Sequence, residues 1–378
     1  MPVLEILMHK RAIGGLYTTS ALKYTQVNIA RCTALFIQRL KDFTRFQPAV
    51  INMSAWLQYY SFDSLVEAIF SKQIGFLATG SDVQGICERD HENMIYCALW
   101  GQVPKIEAIT SKWKSLTGSP KSNPLWNFTV DAVSDRLAHP NDSEDSLNAL
   151  LRVHRDSPDK LDLREVIGAA YINVVAAHDV VAITLRTIFY YLAKSPTVYK
   201  KLHNEIVQAE REGLLSDPTT YTEVSSLRYL SAVVNESLRI HAGVGTIMER
   251  IVPKGGVELH GKKIPAGTII GVSAWAMNHD RDIFGDDVEC FRPERWIENT
   301  PEKLQKMRKN MLSWGAGARS CIGKNLAIME LLPVIVELYR HFQFKLADDT
   351  KEWRVSGTWI TRQTQMDMIV SRKGEEKD

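Results

Sequence analysis

The chain has 378 residues, of which 45% are hydrophobic and 24% are charged. This composition is typical of a globular protein and excludes a disordered chain, a collagen and a coiled coil. Lysine and arginine number 46 and aspartate and glutamate 44, which leaves a net charge of +2. A charge this close to neutral argues against a dedicated nucleic-acid-binding protein. The length fits one large domain or two ordinary ones.

The cysteines and the apolar segments indicate the compartment. Five widely spaced cysteines without a Cys-x-x-Cys pair argue against a disulfide framework or a zinc ribbon, and favour reduced thiols in a cytosol-like compartment. The N-terminal MPVLEILMHKRAIGG is interrupted by charge too early for a signal peptide. The longest largely apolar run, Val166 to Ala177, is shorter than the roughly 18 residues that a bilayer requires. The sequence therefore predicts no membrane-spanning segment.

Helical periodicity of apolar residues extends over most of the first 240 residues. Residues 117–142 are the exception, because their glycine and prolines predict a loop. The longest helix is predicted from about Leu161 to Lys194 and ends before Pro196, which cannot continue it. The other predicted helices are 17–44, 52–71, 84–100, 143–155, 199–212 and 224–240.

The last third of the chain has a different character. Strands are predicted for Val257–Leu259, Ile264 and Thr268–Val272, and alternation from Trp353 to Val370 predicts a hairpin. Residues 280–300 are predicted to be ordered coil, and residues 322–342 a helix. The fold class is therefore mainly α with small β-sheets (α+β). A single domain is predicted over residues 1–378, helical up to about 250 and carrying the β pieces from about 251 onward.

A glycine-rich loop, Trp314-Gly-Ala-Gly317-Ala-Arg319-Ser-Cys321-Ile-Gly323, has the residues that present a cysteine sulfur to haem iron. A thiolate is one of the axial ligands of haem, and glycines let the backbone approach the macrocycle with positive φ. The helix predicted after Cys321 favours the thiolate with its positive end. Arg319 would pair with a haem propionate, and the ring of Trp314 would shield the sulfur.

The other four cysteines need no ligand role, and two other functions of glycine-rich loops do not fit this one. Cys32, Cys87, Cys97 and Cys290 have no such surroundings, and a lone cysteine is usually a small buried hydrophobe. The loop is no phosphate loop, because asparagine follows Lys324, and no dinucleotide fingerprint, because no strand precedes it.

A second motif, Glu236-Ser-Leu-Arg239, places a carboxylate and a guanidinium on one helix face. Exposed pairs of this kind are common and contribute only about 0–1 kcal/mol. The apolar setting of this helix predicts burial instead, and buried charges need partners. Arg295, in the segment Phe-Arg-Pro-Glu-Arg-Trp, would supply a third charge.

These motifs and their order resemble those of the cytochromes P-450, the haem-thiolate oxygenases, and in particular the microsomal-type enzymes of filamentous fungi. The family's pattern aromatic-x-x-Gly-x-Arg-x-Cys-x-Gly is matched from Trp314 to Gly323, with tryptophan in place of the usual phenylalanine. Its Glu-x-x-Arg is matched at Glu236 and Arg239, and its Pro-Glu-Arg box ends at Arg295. The resemblance extends from about residue 9 to the C-terminal hairpin.

The resemblance implies a cytochrome P-450 fold that binds haem b, with Cys321 as the iron ligand. It implies that Glu236, Arg239 and Arg295 form a buried triad that locks the cysteine loop. Arg319 and Arg250 match positions that bind haem propionates, and Arg11 or Lys10 matches a third such contact. For Arg250 and Arg11, a solvated surface charge is an equally good interpretation.

The predicted long helix carries the first departure from the family. Ala176-Ala177-His178-Asp179-Val180-Val181 stands where the family has Ala/Gly-Gly-x-Asp/Glu-Thr-Thr. The resemblance implies that Ala177 makes room for dioxygen and that Asp179 relays protons. Val180 replaces the threonine and cannot donate a hydrogen bond, so water, substrate or His178 would deliver protons. The preferred expectation is that the His178 side chain points away from the iron.

The second departure is at the N-terminus, where family members carry a membrane anchor, sheet strands and a loop that covers the substrate. Without these strands, residues 257–272 and the tail hairpin are expected to have open edges. The substrate pocket would be open to water on one side. The expected location is accordingly cytoplasmic or peripheral to a membrane.

Three functions remain open. The first is a monooxygenase of a small apolar metabolite, in fungal secondary metabolism, with electrons from an NADPH-cytochrome P-450 reductase. That partner would dock on a basic cluster around the loop, formed by Lys303, Lys306, Arg308, Lys309 and Lys324. The second is an isomerase or dehydratase that needs no oxygen activation, as Val180 suggests. The third is a truncated, inactive family member. Residues 242–247 and 356–360 would select the substrate.

Overall fold

The computed structural model describes residues 10–117 and 123–374. Helices dominate this part of the chain, as the sequence predicts. The long helices are α1 (Thr25–Phe43), α2 (Met53–Phe70), α3 (Ile86–Trp100), α4 (Pro104–Thr117), α5 (Pro124–Ala138), α6 (Ser146–Asp156), α7 (Leu163–Lys194), α8 (Pro196–Arg211), α9 (Arg228–Ile240), α10 (Pro301–Asn310) and α11 (Lys324–His341). Single helical turns are formed by Phe76–Thr79, Tyr221–Val224, Ala274–Asn278, Arg281–Phe284 and Arg295–Glu298.

The loop predicted for residues 117–142 is wrong, because most of it is the helix α5. The side chain of Asn123 accepts hydrogen bonds from the amides of Leu125 and Trp126 and so caps this helix. Pro124 stands at the first helical position, where its missing N–H is harmless and its fixed φ is favourable. The prediction of a loop treats Pro124 as a residue that ends a helix, whereas in the structure Pro124 begins one. Residues 118–122 of the predicted loop lie outside the described residues.

The strands form small antiparallel sheets. The strands are β1 (Ala49–Asn52), β2 (Met248–Ile251), β3 (Val257–Leu259), β4 (Lys262–Ile264), β5 (Ile269–Val272), β6 (Phe342–Leu346), β7 (Arg354–Gly357), β8 (Thr361–Thr364) and β9 (Asp367–Arg372). One sheet has the order β1-β9-β6, and the pairs β2-β5, β3-β4 and β7-β8 stand apart. The sequence did not predict β1, which joins the early part of the chain to the C-terminal strand.

The tail and the sheet edges differ in how well they were predicted. The predicted hairpin over residues 353–370 is formed only by β7 and β8, because β9 leaves it to pair with β1 and β6. Within the described ranges, β2 and β5 pair only with each other, so the open edges expected there are present. Ile251 and Ile269 on these strands are exposed.

Helix α7 crosses the core of the molecule. It begins with a capping box in which Asp162 and Glu165 exchange side-chain and backbone hydrogen bonds. It makes its most extensive contacts with α2, and every residue from Val181 to Tyr190 is buried. Within the described residues, α7 alone is long and apolar enough to span a bilayer. The sequence predicts no such helix because charged and polar residues interrupt its apolar run; the burial of much of α7 is typical of a core helix.

Glu330 of α11 is a fully buried carboxyl group whose only polar contact in the described structure is a hydrogen bond of 2.5 Å from the Ser64 hydroxyl of α2. Burial raises its pKa to about 8. The unfolded chain ionises this group at its ordinary pKa, whereas the folded chain keeps it neutral. Its stabilisation is therefore present at acidic pH and is lost as the pH rises toward 8.

We expect Glu330→Gln to remove this pH dependence. The free energy of unfolding of the variant, relative to that of wild type, should rise between pH 5.5 and pH 8.5. This rise is at most about 5 kcal/mol, because each unit of pKa shift corresponds to about 1.4 kcal/mol. Thermal unfolding of both proteins at the two pH values measures it. Glu337→Gln on the same helix is the control; it removes the ion pair with Arg340 and should destabilise at both pH values. A difference between Glu330→Gln and wild type that does not change with pH would contradict the expectation.

Candidate active site

The loop before α11 holds Cys321 in a fixed position. Gly315 and Gly317 adopt φ of +65° and +63°, which residues with a side chain rarely adopt. The amide of Cys321 donates a hydrogen bond of 2.7 Å to the carbonyl of Trp314, which closes the loop. Gly323 follows as the N-terminal cap of α11. The loop thus presents Cys321 as an accessible side chain.

The surroundings of the Cys321 thiol act on its pKa in opposite directions. Partial desolvation raises this pKa, and this effect prevails. The amides of Gly323 and Lys324 at the start of α11, and the ammonium group of Lys10, lower it. The positive groups favour a thiolate, which is the form that binds a metal.

Lys10 contacts this loop from a distant part of the chain. The ammonium group of Lys10 donates to the carbonyls of Ala318 and Ser320, at 3.2 and 2.7 Å. Lys10 therefore stabilises the cysteine loop by binding two backbone carbonyls of that loop. Arg11 is exposed, as are Arg250 and Arg319. None of these three arginines forms an ion pair with an acidic side chain within residues 10–117 and 123–374.

The structure brings Glu236, Arg239 and Arg295 together in a completely buried cluster, each with 0% of its surface exposed. Glu236 accepts two hydrogen bonds from Arg239, at 2.8 and 3.0 Å, and one from Arg295, at 2.9 Å. The indole N–H of Trp296 and the amide of Arg292 also donate to this carboxylate. The remaining guanidinium N–H groups donate to backbone carbonyls and to Asp287. The buried charges are thus paired and hydrogen-bonded.

Asn278 connects this cluster to the cysteine loop. Its backbone carbonyl accepts from Arg239, and its side chain donates to Ser313 at 2.9 Å and accepts from the amide of Leu312 at 3.1 Å. Ser313 also donates to the carbonyl of Leu238, at 2.6 Å. The loop residue Trp314 follows directly. The sequence analysis missed Asn278, because it belongs to no motif and lies 39 residues from Arg239.

Helix α7 stands opposite the loop, and two segments join them. On one side, the chain from Gly243 to Met248 begins against Val180, so that a Cβ atom at Gly243 would lie 3.0 Å from the Val180 side chain. It ends at the loop, where the Met248 sulfur would lie 3.9 Å from a Cβ atom at Gly315. On the other side, the hydroxyl of Tyr17 donates a hydrogen bond of 2.8 Å to the Asn173 side chain of α7. The backbone carbonyl of Tyr17 accepts a hydrogen bond from the Asn325 side chain of α11.

These residues fit a haem. The cysteine sulfur is accessible, and Ile172 and Ala176 are exposed apolar residues on a helix that is otherwise part of the core. Ala177 and Val180 on the same stretch are half-buried. The donor set is a soft thiolate with nearby amides, which suits iron in a haem. Arg11, Arg250 and Arg319, which form no ion pair within the described ranges, would remain available for the propionate groups.

His178 and Asp179 face the core, in a polar network that links α7 to α2 and α3. The amide nitrogen of Gln58 lies 2.8 Å from Asp179 Oδ1 and 2.9 Å from His178 Nδ1. His178 Nε2 lies 3.3 Å from Asp90 Oδ2, and Phe62 stacks on the imidazole at 3.6 Å. His178 thus points toward α2 and α3.

The donors of this network fix the orientation of Gln58 and the tautomer of His178. Arg186 can only donate, and its guanidinium lies 2.6 Å from Gln58 Oε1, so the carbonyl end of Gln58 faces Arg186. The NH₂ end must then face His178, whose Nδ1 accepts. Nε2 then carries a proton, and it lies 3.3 Å from Asp90 Oδ2 without forming a hydrogen bond to it in the described structure.

Asp179 is ionised in this setting. Burial acts to raise its pKa, but the neighbouring His178, the guanidinium groups of Arg362 and Arg186 and the Gln58 hydrogen bond outweigh it and hold the pKa below its usual value. Donor atoms of Asp90, His178 and Asp179 lie within 4.8 Å of one another, a spacing that a metal ion accepts. The two guanidiniums already balance the two carboxylates, however, and Gln58 occupies one imidazole nitrogen. A hydrogen-bond network accounts for the cluster better than a metal site.

Four residues of the predicted basic cluster lie on α10, and the fifth, Lys324, lies at the start of α11. Lys303 and Lys306 donate to the carbonyl of Asp282, at 3.5 and 3.0 Å, and Lys306, Arg308, Lys309 and Lys324 are exposed. The ammonium group of Lys324 lies 5.9 Å from the centre of the Trp314 ring. Positive charge thus lies next to the cysteine loop.

Comparison with known proteins identifies the family. The family model for cytochrome P-450 matches residues 9–369. The cytochrome P-450 monooxygenase cicH of Emericella nidulans is 31% identical over 93% of this chain and 71% of its own length. The monooxygenase gsfF of Penicillium aethiopicum is 31% identical over 97% and 74%, and the pisatin demethylase of Fusarium vanettenii 30% over 96% and 71%. This chain therefore belongs to the cytochrome P-450 family of oxidoreductases.

Proposed function

We propose that this protein is a haem-thiolate monooxygenase that inserts one oxygen atom of dioxygen into a small apolar metabolite, in fungal secondary metabolism. The observation that carries the proposal is the accessible Cys321 on a loop that is tied to a buried charge cluster and faces α7. The relatives named monooxygenases support the reaction class. The name pisatin demethylase describes a relative that acts on a small molecule.

Each side chain has a role in this proposal. Cys321 would bind the iron of haem b, with Trp314, Gly317 and Gly323 shaping the loop, and the triad of Glu236, Arg239 and Arg295 would hold it through Asn278. The haem, when bound, supplies the redox-active iron that activates dioxygen. The arginines at 11, 250 and 319 would hold its propionates. Ala177 would leave space beside the haem, and Asp179 would supply or relay protons, with His178 behind it.

Electrons would come from an NADPH-cytochrome P-450 reductase. The basic cluster next to the cysteine loop would attract an acidic partner surface. The substrate would lie against the apolar segments that meet near Val180, where Val244 pairs with Ile360. This contact brings the segment after α9 to the turn between β7 and β8.

Two measurements test the proposal. The ferrous-CO difference spectrum of the purified chain should show thiolate-ligated haem, and turnover of a small apolar substrate should require both the reductase and NADPH. A chain that binds no haem would support the inactive, truncated interpretation. A thiolate spectrum without any NADPH-dependent turnover would support the isomerase or dehydratase.

One observation favours that second candidate. Val180 packs against Gly243 and offers no hydrogen bond, while Asp179 accepts a hydrogen bond from Gln58 and is kept ionised by nearby positive charge. In the resting structure neither residue is thus free to hand a proton toward the haem. An isomerase or dehydratase would not need this proton delivery.

Val180→Thr tests which chemistry takes place. Threonine has nearly the volume of valine, and its hydroxyl can bond the carbonyl one turn back, as Thr184 bonds that of Val180 at 2.8 Å. If the protein is a monooxygenase, the added donor should assist proton delivery. We then expect more product per NADPH and less hydrogen peroxide.

The matched control is Val181→Thr, the same substitution at the neighbouring position, which is buried in the core. It should lower the melting temperature without changing the ratio of product to NADPH. If Val180→Thr leaves an already high ratio unchanged, protons arrive by another route.

A further inference from the structure

Tyr17 contacts both of the helices between which the haem is proposed to bind. It ends a short 3₁₀ turn, Gly14–Tyr17, and 6% of its surface is exposed. Its hydroxyl lies 2.8 Å from Oδ1 and 2.6 Å from Nδ2 of Asn173 on α7. Its backbone carbonyl accepts a hydrogen bond of 2.8 Å from Asn325 of α11, four residues after Cys321. One residue therefore connects α7 to the helix that follows the cysteine.

The apolar core does not explain the burial of Tyr17. Ile13 and Leu16 of the same segment pack against an apolar cluster, but Tyr17 belongs to none of the apolar clusters that the described residues form. Burial raises the pKa of Tyr17 to about 12, so the hydroxyl keeps its proton at neutral pH. A buried hydroxyl requires a hydrogen-bond partner, and within residues 10–117 and 123–374 that partner is Asn173. The polar contact thus ties this side chain to α7.

The connection through Tyr17 lies at the cysteine end of α11. Near the C-terminal ends of the two helices, Phe189 of α7 stacks on Tyr339 of α11 with ring centres 5.0 Å apart, so the helices touch directly there. Near the cysteine loop, Tyr17 lies between Asn173 and Asn325 and contacts both. Tyr17 thus spans α7 and α11 at the end where the haem is proposed to bind.

The first half of α7 is packed on one face only. Every residue from Val181 to Tyr190 is buried, whereas before Ala177 the buried residues of this helix are Val166, Ala170 and Val174. Ile172 and Ala176, on either side of Asn173, are exposed. Because apolar packing restrains this half of the helix from a single side, a polar contact at Asn173 has a large effect on its position.

We propose that Tyr17 is a positioning residue that holds α7 at a fixed distance from the cysteine loop and so retains the haem, an inference that rests on the proposed function. Lys10 of the same segment donates to the loop carbonyls of Ala318 and Ser320. The segment from Lys10 to Tyr17 therefore contacts the loop, α11 and α7 together. Without the Tyr17 hydroxyl, Asn173 loses its partner and this half of α7 loses its polar tie to the segment.

Tyr17→Phe tests this role, because it removes the hydroxyl and keeps the ring. We expect the haem-loaded variant to lose haem to an excess of apomyoglobin roughly two- to tenfold faster than wild type, which corresponds to the loss of one hydrogen bond. The matched control is Tyr171→Phe, the same substitution on the first half of α7, where the hydroxyl accepts from Asn123. This control should release haem at the wild-type rate.

Asn173→Ala removes the other partner and should speed haem release to the same extent. The double variant should release haem no faster than either single variant, because both substitutions remove the same hydrogen bond. Effects that multiply in the double variant would show that the two residues act separately and would overturn the proposal. Haem release from Tyr17→Phe at the wild-type rate, or from Tyr171→Phe as fast as from Tyr17→Phe, would overturn it as well.

Hydrogen exchange of the haem-free chain tests the same contact without the haem. In Tyr17→Phe, the amides of residues 163–176 should exchange faster than in wild type, while those of residues 181–190 should be unchanged. Equal exchange of residues 163–176 in the two proteins would overturn the role of Tyr17. A wild-type chain that binds no haem would contradict the proposed function, and the exchange rates would still decide the role of Tyr17.

Discussion

Cys321→Ser should give a folded protein whose ferrous-CO spectrum lacks the absorption of thiolate-ligated haem. The substitution keeps the backbone bond from residue 321 to the Trp314 carbonyl, which closes the loop, and the side chain is accessible rather than packed. Stability without haem should therefore change little. A serine hydroxyl is far less acidic than a thiol and supplies no sulfur to the iron, so the thiolate ligand is lost.

The matched control for this variant is Cys290→Ser. Cys290 is also an exposed cysteine, and only its carbonyl takes part in the charge cluster, through Arg239 and Arg295. The thiolate spectrum should survive in this control. A normal ferrous-CO spectrum in Cys321→Ser would show that another residue binds the iron and would remove the basis of the proposed function.

The parts of the fold that the sequence predicts are those encoded over short distances. The loop from Trp314 to Cys321 depends on glycines at fixed spacing, and the pair Glu236 and Arg239 on one helical turn. Both are recognisable without the rest of the chain. Helix boundaries agree where apolar periodicity is strong, as in α2, which begins and ends within about one residue of the prediction.

Contacts between distant segments were not predictable where no motif marks both residues. Gln58 lies 120 residues from His178, and no local pattern marks glutamine as the group that orients an imidazole. Asn278 and Lys10 contact the cysteine loop in the same way, from positions that resemble ordinary polar residues. The strand β1 is too short for its alternation to be recognised, and it forms because β9 supplies its hydrogen-bond partners.

The error at α5 has a different cause. Pro124 was interpreted by its usual effect inside a helix, whereas its effect depends on position, being favourable in the first turn. Asn123 before it is a typical cap residue, so the pair is a helix start in physical terms. The signal was present in the sequence and was outweighed by the count of glycines and prolines around it.

Glu236→Ala should prevent the chain from folding with haem, and this is the second large effect expected. The carboxylate accepts from Arg239, Arg295, Trp296 and the amide of Arg292 at a point with no exposure to water. Its removal leaves the buried guanidinium of Arg239 without a counterion and that of Arg295 with Asp287 alone. Breaking a buried ion pair from one side costs about 3–5 kcal/mol, against a total stability of roughly 5–15 kcal/mol for a typical domain.

Arg295→Ala should have a similar effect, because Arg295 also holds the carbonyls of Phe284 and Cys290. The matched control is Glu294→Ala, one residue away on the chain. Glu294 pairs with the exposed Lys201 and with the Tyr229 hydroxyl, so its removal should cost little. Soluble yield, haem content and melting temperature measure all three variants. Because the cluster reaches the loop through Asn278, haem content should fall before all folded protein is lost. Soluble, haem-loaded Glu236→Ala with the melting temperature of the control would contradict the view that these charges hold the cysteine loop.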